Sequence, residues 1–234
     1  MKERPTGLPE ANVKRAVVKE MFDRIAPRYD LVNRIITAGM DQQWRRRLLK
    51  GAGLRSEDCL VDVACGTGDL LLIARQAGAY CLGVDLSRAM LGYAFCRDDS
   101  LNLISGDAAN LPVADKVASI VTCGFALRNF VSLPPVWSEF SRVLRTGGKL
   151  AILEVDRPEN TLVRWFHSLY FDGVVPALGG LVSDREAYRY LPRSTKYLPG
   201  YGELSRQLHK AGFTDIHREV LFFGSAQLIY AQKV

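Results

Sequence analysis

The sequence predicts an α/β fold: a mostly parallel sheet with helices on both faces, preceded by N-terminal helices and carrying a late insertion. Three observations point that way. Between residues 59 and 158, short runs rich in β-formers alternate with helical stretches, the rhythm of a parallel sheet covered on both sides. A glycine turn, CGTG at 65–68, closes the first of those runs. The 234 residues, 48% hydrophobic and 24% charged, suit a single domain over 1–234, since two halves would each be small.

Each element has its own signal. Residues 1–11, with two prolines and a glycine, read as a loose arm. From Asn12, a candidate N-cap, the positions Val13, Ala16, Val17, Met21 and Ile25 recur at helical spacing until Pro27 ends the pattern. A second helix is expected over 31–36 and a third over 41–50, the latter basic through Arg45, Arg46, Arg47 and Lys50; residues 12–50 then form a helical cap. CLVDVA (59–64) is the first strand and DLLLIARQAG the helix after it. AYCLGVDLS (79–87) and RAMLGYAFCR repeat the pair, and NLISGDAANLP (102–112) is a third strand and turn. ASIVTCGFALRNF (118–130) supplies the fourth strand, a helix spans 134–144, RTGG reads as its glycine-type stop, and KLAILEVDRP (149–158) is the fifth strand. ELSRQLHKAGF is a further helix, and TDIHREVLFFG and SAQLIYAQK alternate like a late antiparallel pair. The aromatic and apolar segment 159–200 interrupts this order and is placed to cover the carboxyl ends of the strands, where open α/β sheets bind ligands.

Composition excludes several classes. No apolar run approaches the ~20 residues of a membrane span, and the N-terminal MKERPTGLPEANVKR lacks the apolar core of a secretory signal. Five scattered cysteines without a CxxC pair fit a reduced, cytoplasmic compartment and no metal site. The net charge of +6 suits nucleic acid, anionic lipid or simple solubility.

The glycine turn narrows the chemistry. CGTGD lacks the Lys-Ser/Thr of a P-loop and the third glycine of a dinucleotide fingerprint. It is flanked instead by Asp62 and Asp69, poor neighbours for phosphate and good ones for a cation or an amino group. Asp85 ends the second strand, where a carboxylate can take both ribose hydroxyls. Asp107, after the third, can accept from an adenine amino group. A ligand with an amino acid, a ribose, an adenine and no phosphate is S-adenosylmethionine, whose sulfonium charge also favours an acidic pocket. Ala64, Cys65, Gly66, Thr67 and Gly68 of the turn, with Leu86, Ala108 and Gly124 at the next strand ends, complete the expected cofactor-binding set.

VDVACGTGD, GVDLS and GDAANLP resemble the successive motifs of class I S-adenosylmethionine-dependent methyltransferases over roughly residues 55–155. That resemblance implies a Rossmann-like, seven-stranded sheet with a reversed last hairpin. MFDRIAPRYDLVNRIITAGMDQQWRR, ALRNF and LGGLVSDREAYRYLP are similar to the quinone C-methyltransferases of ubiquinone and menaquinone biosynthesis, from about residue 15 to 215. This implies methylation of a ring carbon on a prenylated quinol. No Asn/Asp-Pro-Pro-Tyr/Phe motif follows the fourth strand, so a nucleobase or amide acceptor, and nucleic acid as a partner, are not expected. By resemblance, Arg128 and Asn129 lie beside the quinol oxygens, and Tyr29 and Asp30 fold over the cofactor. An arginine with a pKa above ~12 is no base, so Arg128 is expected to stabilise a phenolate or orient a water; a surface salt bridge is the plainer alternative. Tyr29 either shields the methionine part of the cofactor or packs in the core. His167 and Asp156 are candidates for the base.

The chain departs from the family pattern in three places. It has Gly124, Phe125 and Ala126 where Ser-Phe-Gly is usual, EVDRP where Glu-Phe-Ser-Lys-Pro is usual, and FFGSAQLIYAQK without Thr-Gly-Gly or Leu-His. These put the particular quinone in question more than the reaction. A related phenol methyltransferase, or a non-catalytic cofactor- or lipid-binding subunit, are the rivals. The apolar lid suits a prenyl tail, and the run Arg45, Arg46, Arg47 suits a peripheral membrane contact. The oligomeric state is left open, a homodimer being admitted.

Overall fold

The computed structural model describes residues 11–156 and 194–234. The loose arm and the insertion up to residue 193, with His167 and the LGGLVSDREAYRYLP stretch, lie outside the described residues. Helices α1 (Ala11–Ile25), α2 (Tyr29–Thr37) and α3 (Met40–Ala52) come first. Strand β1 (Cys59–Val63), α4 (Asp69–Gln76), β2 (Tyr80–Asp85), α5 (Arg88–Arg97), β3 (Asn102–Ser105) and β4 (Ala118–Gly124) follow in alternation. Then come α6 (Leu133–Val143), β5 (Leu144–Val155), α7 (Tyr201–Lys210), β6 (Phe213–Leu221) and β7 (Ala226–Lys233).

The strands make one seven-stranded sheet in the order β3-β2-β1-β4-β5-β7-β6. β1 to β5 pair in parallel, and β7 runs antiparallel between β5 and β6. Alternate strand residues feed two cores. Val61, Val121, Leu150 and Ile152 face Trp137 and Phe140 of α6 and Leu204 and Leu208 of α7. Leu60, Ile120, Ala151 and Leu153 face Leu48 and Leu49 of α3 and Leu71 of α4. Each large apolar side chain buried this way contributes about 1.5–3 kcal/mol. A third cluster seats α1 and α2 on α5, with Met21, Ile25, Val32 and Ile36 around Met90.

Two expectations are corrected. Asn12 lies inside α1, which starts at Ala11. RTGG does not stop α6: Leu144 is already extended at φ −74, ψ 136 and opens β5 by pairing with Ala118. Strand pairing captures the segment, and Gly147, at φ 74, falls where the β4–β5 register shifts.

Strand order reverses between β1 and β4, the switch point at which open sheets of this kind leave a crevice. Two glycines make the crevice possible. Gly68 starts α4 at φ 85, and a Cβ on Gly83 of β2 would lie 2.5 Å from Leu71 and 2.8 Å from Cys65, so β2 can approach the turn only without one.

Candidate functional site

A cavity of about 320 Å³ occupies that crevice, within the ~300–1,000 Å³ typical of small-molecule sites. Val63, Ala64 and Gly66 after β1, Asp85 and Leu86 after β2, Asp107 and Ala108 after β3, and Gly124 and Phe125 after β4 form its floor. Arg15, Val18, Lys19 and Phe22, one face of α1, close it from above, with Tyr29. Asn129, Phe130, Val131, Ser132 and Pro135 form its far end. Ala64 and Phe125, at the ends of neighbouring strands, both hold φ 57. Left-handed backbone at non-glycine residues costs of order 1–3 kcal/mol and gathers at functional sites. Ala126, by contrast, sits at φ −119, so alanine is tolerated where the resembling family has glycine.

The acids divide by role. Asp85 accepts from the backbone N–H groups of Gly66 and Ser87, each at 2.8 Å. Burial raises its pKa in spite of those two donors. Asp107 accepts from Ala109 N at 3.0 Å and pairs with Arg15 at 2.9 Å. Asp62 does not line the cavity: it is 1% exposed, accepts from Thr122 Oγ1 at 2.7 Å, and burial pushes its pKa up to about 7. Asp69 meets no ligand space either. It receives Gln42 at 2.8 Å, Arg97 at 2.9 Å, Arg34 at 3.3 Å and Arg45 at 3.6 Å. Burial alone would raise its carboxyl, but Arg45, Arg97 and Arg34 outweigh it and hold the pKa below the usual range. Asp30 joins the same network, accepting from Thr67 Oγ1 at 2.5 Å and Arg97 at 3.1 Å. The acids around the turn therefore sew the helical cap to the glycine loop.

One residue of the basic run of α3 is drawn into this network. Arg45 is 6% exposed, bound to Asp41 at 2.9 Å and to Asp69, and Arg47 pairs with Glu219 of β6. Arg45 is thus not part of a solvated face, because the buried carboxylates need its charge.

Arg128 and Asn129 sit in a short 3-10 turn, Leu127–Asn129, beyond β4. Asn129 lines the cavity; Arg128 lies behind it, paired with Glu154 of β5 and donating to Phe125 O at 2.8 Å. Glu154 is fully buried and also accepts from Val155 N at 2.9 Å. Two atoms of the turn, Arg128 Nε and Asn129 Oδ1, are buried with no hydrogen-bond partner among the described residues.

Of the residues expected from sequence, the cavity brings together Tyr29, Ala64, Gly66, Asp85, Leu86, Asp107, Ala108, Gly124 and Asn129. Asp62, Cys65, Thr67, Gly68 and Arg128 shape it from behind. Cys65 is buried and burial lifts its thiol well above the ordinary range. Asp156, a candidate base, is paired with Arg218. Sequence reasoning missed the α1 face and Glu154. Positions 15, 18, 19 and 22 carry the i, i+3, i+4, i+7 signature of one helix face, and Glu154 is a lone acid inside an apolar strand, so both left a signal. Among the described residues, no group of three or more His, Cys, Asp or Glu side chains could hold a metal ion, and no helix is long and apolar enough to cross a membrane.

The model of the ubiE/COQ5 methyltransferase family matches residues 10–233. The chain belongs to that family. Similar relatives include a demethylmenaquinone methyltransferase of Roseiflexus sp. (strain RS-1), 38% identical over 95% of this chain and 96% of its own length. The ubiquinone/menaquinone biosynthesis C-methyltransferase UbiE of Syntrophotalea carbinolica is 37% identical over 86% and 88%. Among solved structures, a possible histamine N-methyltransferase of Thermotoga maritima superposes with a TM-score of 0.65 at 21% identity, covering 93% of this chain and all of that one. The phosphoethanolamine N-methyltransferase 2 of Haemonchus contortus, in complex with S-adenosyl-L-methionine, gives a TM-score of 0.61 at 16% identity, over 82% of this chain and 52% of that one. At such identities these neighbours speak for the class I methyltransferase fold of this family member.

Proposed function

We propose that the chain is an S-adenosylmethionine-dependent C-methyltransferase acting on a ring carbon of a prenylated quinol, a demethylmenaquinol or its ubiquinone-pathway counterpart. The observation that carries this reading is the polarity of the cavity. Two carboxylates, Asp85 and Asp107, stand at one end, and the polar side chain of Asn129, with Arg128 behind it, stands at the turn that bounds the other. Family membership over nearly the whole chain supports the same reading.

The donor set suits a phosphate-free nucleoside. Asp85 is placed to accept from ribose hydroxyls and Asp107 from an adenine amine, while Tyr29 and Phe22, in edge contact at 6.0 Å between ring centres, keep water from the methyl-bearing end. S-adenosylmethionine supplies an electrophilic methyl group there when bound. A ring carbon is a weak nucleophile until a neighbouring hydroxyl gives up its proton. In this reading the hydroxyl lies against Asn129, which lines the cavity, and passes its proton to a water, while Arg128 stands behind that residue. Arg128 keeps its proton, so its part is to stabilise the growing phenolate charge through its field from behind the turn. Holding the two reactants together can supply up to ~7–11 kcal/mol of the barrier. Phe130, Val131 and Pro135 offer an apolar wall to a prenyl tail, about 0.8 kcal/mol for each methylene buried.

The whole chain is read as a single domain, 12–50 its helical cap and 159–200 its lid. A peripheral membrane contact would rest on Arg46 and Lys50, which are exposed, rather than on Arg45.

The test is a parallel assay of the purified chain with S-adenosylmethionine, a short-chain demethylmenaquinol kept reduced, and a panel of simple phenols, read by mass spectrometry. Methylation of the quinol ring is expected. Turnover of the phenols without turnover of the quinol would replace this reading with the phenol methyltransferase, and no methyl transfer to any acceptor would favour a binding subunit.

A further inference from the structure

Two consecutive residues of α1 reach opposite walls of the cavity. Arg15 Nη1 pairs with Asp107 at 2.9 Å on the β3 side. Lys14 turns the other way. Its side chain is buried, its Nζ donates to Phe130 O at 2.7 Å and to Arg128 O at 3.2 Å, and it stands 4.2 Å above the ring centre of Tyr197. Those two carbonyls flank Asn129, the residue of the 3-10 turn that faces the cavity. The turn's own bonds use other carbonyls: Asn129 N donates to Ala126 O at 2.9 Å and Phe130 N to Leu127 O at 3.3 Å.

Packing alone does not call for an amine at position 14. An aliphatic side chain would fill the same space without the cost of desolvating a charge. No carboxylate pairs with Lys14 among the described residues, and burial pulls its pKa down. What the ammonium adds is a pair of directed bonds to the carbonyls on either side of one side chain.

We propose that Lys14 is a positioning residue for methyl transfer. It grips the acceptor turn at Arg128 O and Phe130 O, fixes the direction of Asn129, and does so only while α1 lies across the cavity. Because Arg15 holds the Asp107 wall at the same time, one helix closes the cofactor end and sets the acceptor end together. The proposal rests on the reading that Asn129 meets the acceptor, and the experiment separates the two.

The full chain is compared with Lys14→Met, Lys14→Arg, Asn129→Ala and the double variant Lys14→Met/Asn129→Ala. Melting temperature, S-adenosylmethionine affinity by calorimetry, and kcat and KM for a short-chain demethylmenaquinol are measured for each. Lys14→Met is expected to lower kcat/KM for the quinol by about 10- to 100-fold, the scale of a small misplacement of reacting groups, with cofactor affinity little changed. Lys14→Arg, which keeps two donors, recovers most of the loss. In the Asn129→Ala background the Lys14→Met effect shrinks to about threefold or less, since coupled residues do not act additively.

Unchanged quinol kinetics in Lys14→Met overturn the proposal. So does an equal loss of cofactor and quinol binding, or a Lys14→Met effect undiminished by Asn129→Ala, because each marks a residue that only supports the fold. If Asn129→Ala leaves the kinetics alone, the role of Asn129 fails first and the proposal falls with it. Lys14→Leu, which keeps an apolar stem and no donor, serves in place of Lys14→Met should that variant not fold.

Discussion

Arg128 and Glu154 form a buried pair whose two members are not equivalent on removal. Glu154 is fully enclosed and accepts from Arg128 on both the side chain and the backbone. Deleting the guanidinium strands a carboxylate away from water, which typically costs about 3–5 kcal/mol. Arg128→Ala should therefore lower the urea midpoint as well as turnover, and a loss of activity in that variant alone proves nothing about catalysis. Adding Glu154→Gln should restore most of the stability while turnover stays low; recovery of both would make Arg128 structural only. Asp62 behaves in the opposite sense. Its folded pKa of about 7 lies above the ordinary 3.8, so between those values the folded state binds the extra proton. Its contribution is complete below about pH 4 and is lost as pH rises through 7, on the order of 4 kcal/mol at ~1.36 kcal/mol per unit. Asp62→Asn, which can still accept from Thr122, should match the wild type in urea denaturation at pH 4 and exceed it at pH 8. A gap that does not widen with pH would contradict the assignment. At this scale the sequence betrayed the acids but not their partners: Asp62, Asp69 and Asp85 are alike in the chain, and only tertiary packing gives the first a threonine, the second three arginines and the third two backbone donors.

Among the elements, α5 shows how the cap is fastened. Ser87 accepts from Met90 N at 3.1 Å as the N-cap of α5, and its hydroxyl donates to Asp23 of α1 at 2.5 Å. One hydroxyl thus finishes one helix and ties down another. Ser87→Ala should cost about 1–2 kcal/mol, the usual range for a lost cap, and should speed amide exchange in α1, which Ser87 bonds through Asp23, more than in α4. Equal exchange in both would mean that α1 is held by its apolar face alone. The strands were legible because alternation and β-branched runs are local signals, and the helices flanking them because their apolar faces repeat. The RTGG segment was misread because a glycine stop and a strand bulge use the same residues, and the pairing of Leu144 with Ala118, 26 residues earlier in the chain, decides between them. The face of α1 was visible as a spacing, but nothing local says that it closes a cavity rather than packing on a core.

At the level of the molecule, the parallel order and the reversed final pair were expected, the first from strand–helix alternation and the second from the alternation of the last two runs together with family resemblance, and the sheet shows both. The net charge of +6 was less informative. It does not say which cations face solvent: Arg45 and Arg128 are buried against carboxylates and Arg97 bridges Asp30 and Asp69. Composition counts charges without saying where they point, which is why a basic run on α3 suggested one continuous surface from which packing withdrew Arg45 and left Arg46, Arg47 and Lys50 outside. The place of β7 has a consequence for biogenesis. It is the strand made last among the seven, yet it lies between two others, bonded to β5 along Lys149–Val155 and to β6 along most of its length. While the ribosome is still adding residues 226–233, β5 keeps a bare flank and β6 has no neighbour to join. The nascent polypeptide must carry that open flank until residues 226–233 emerge.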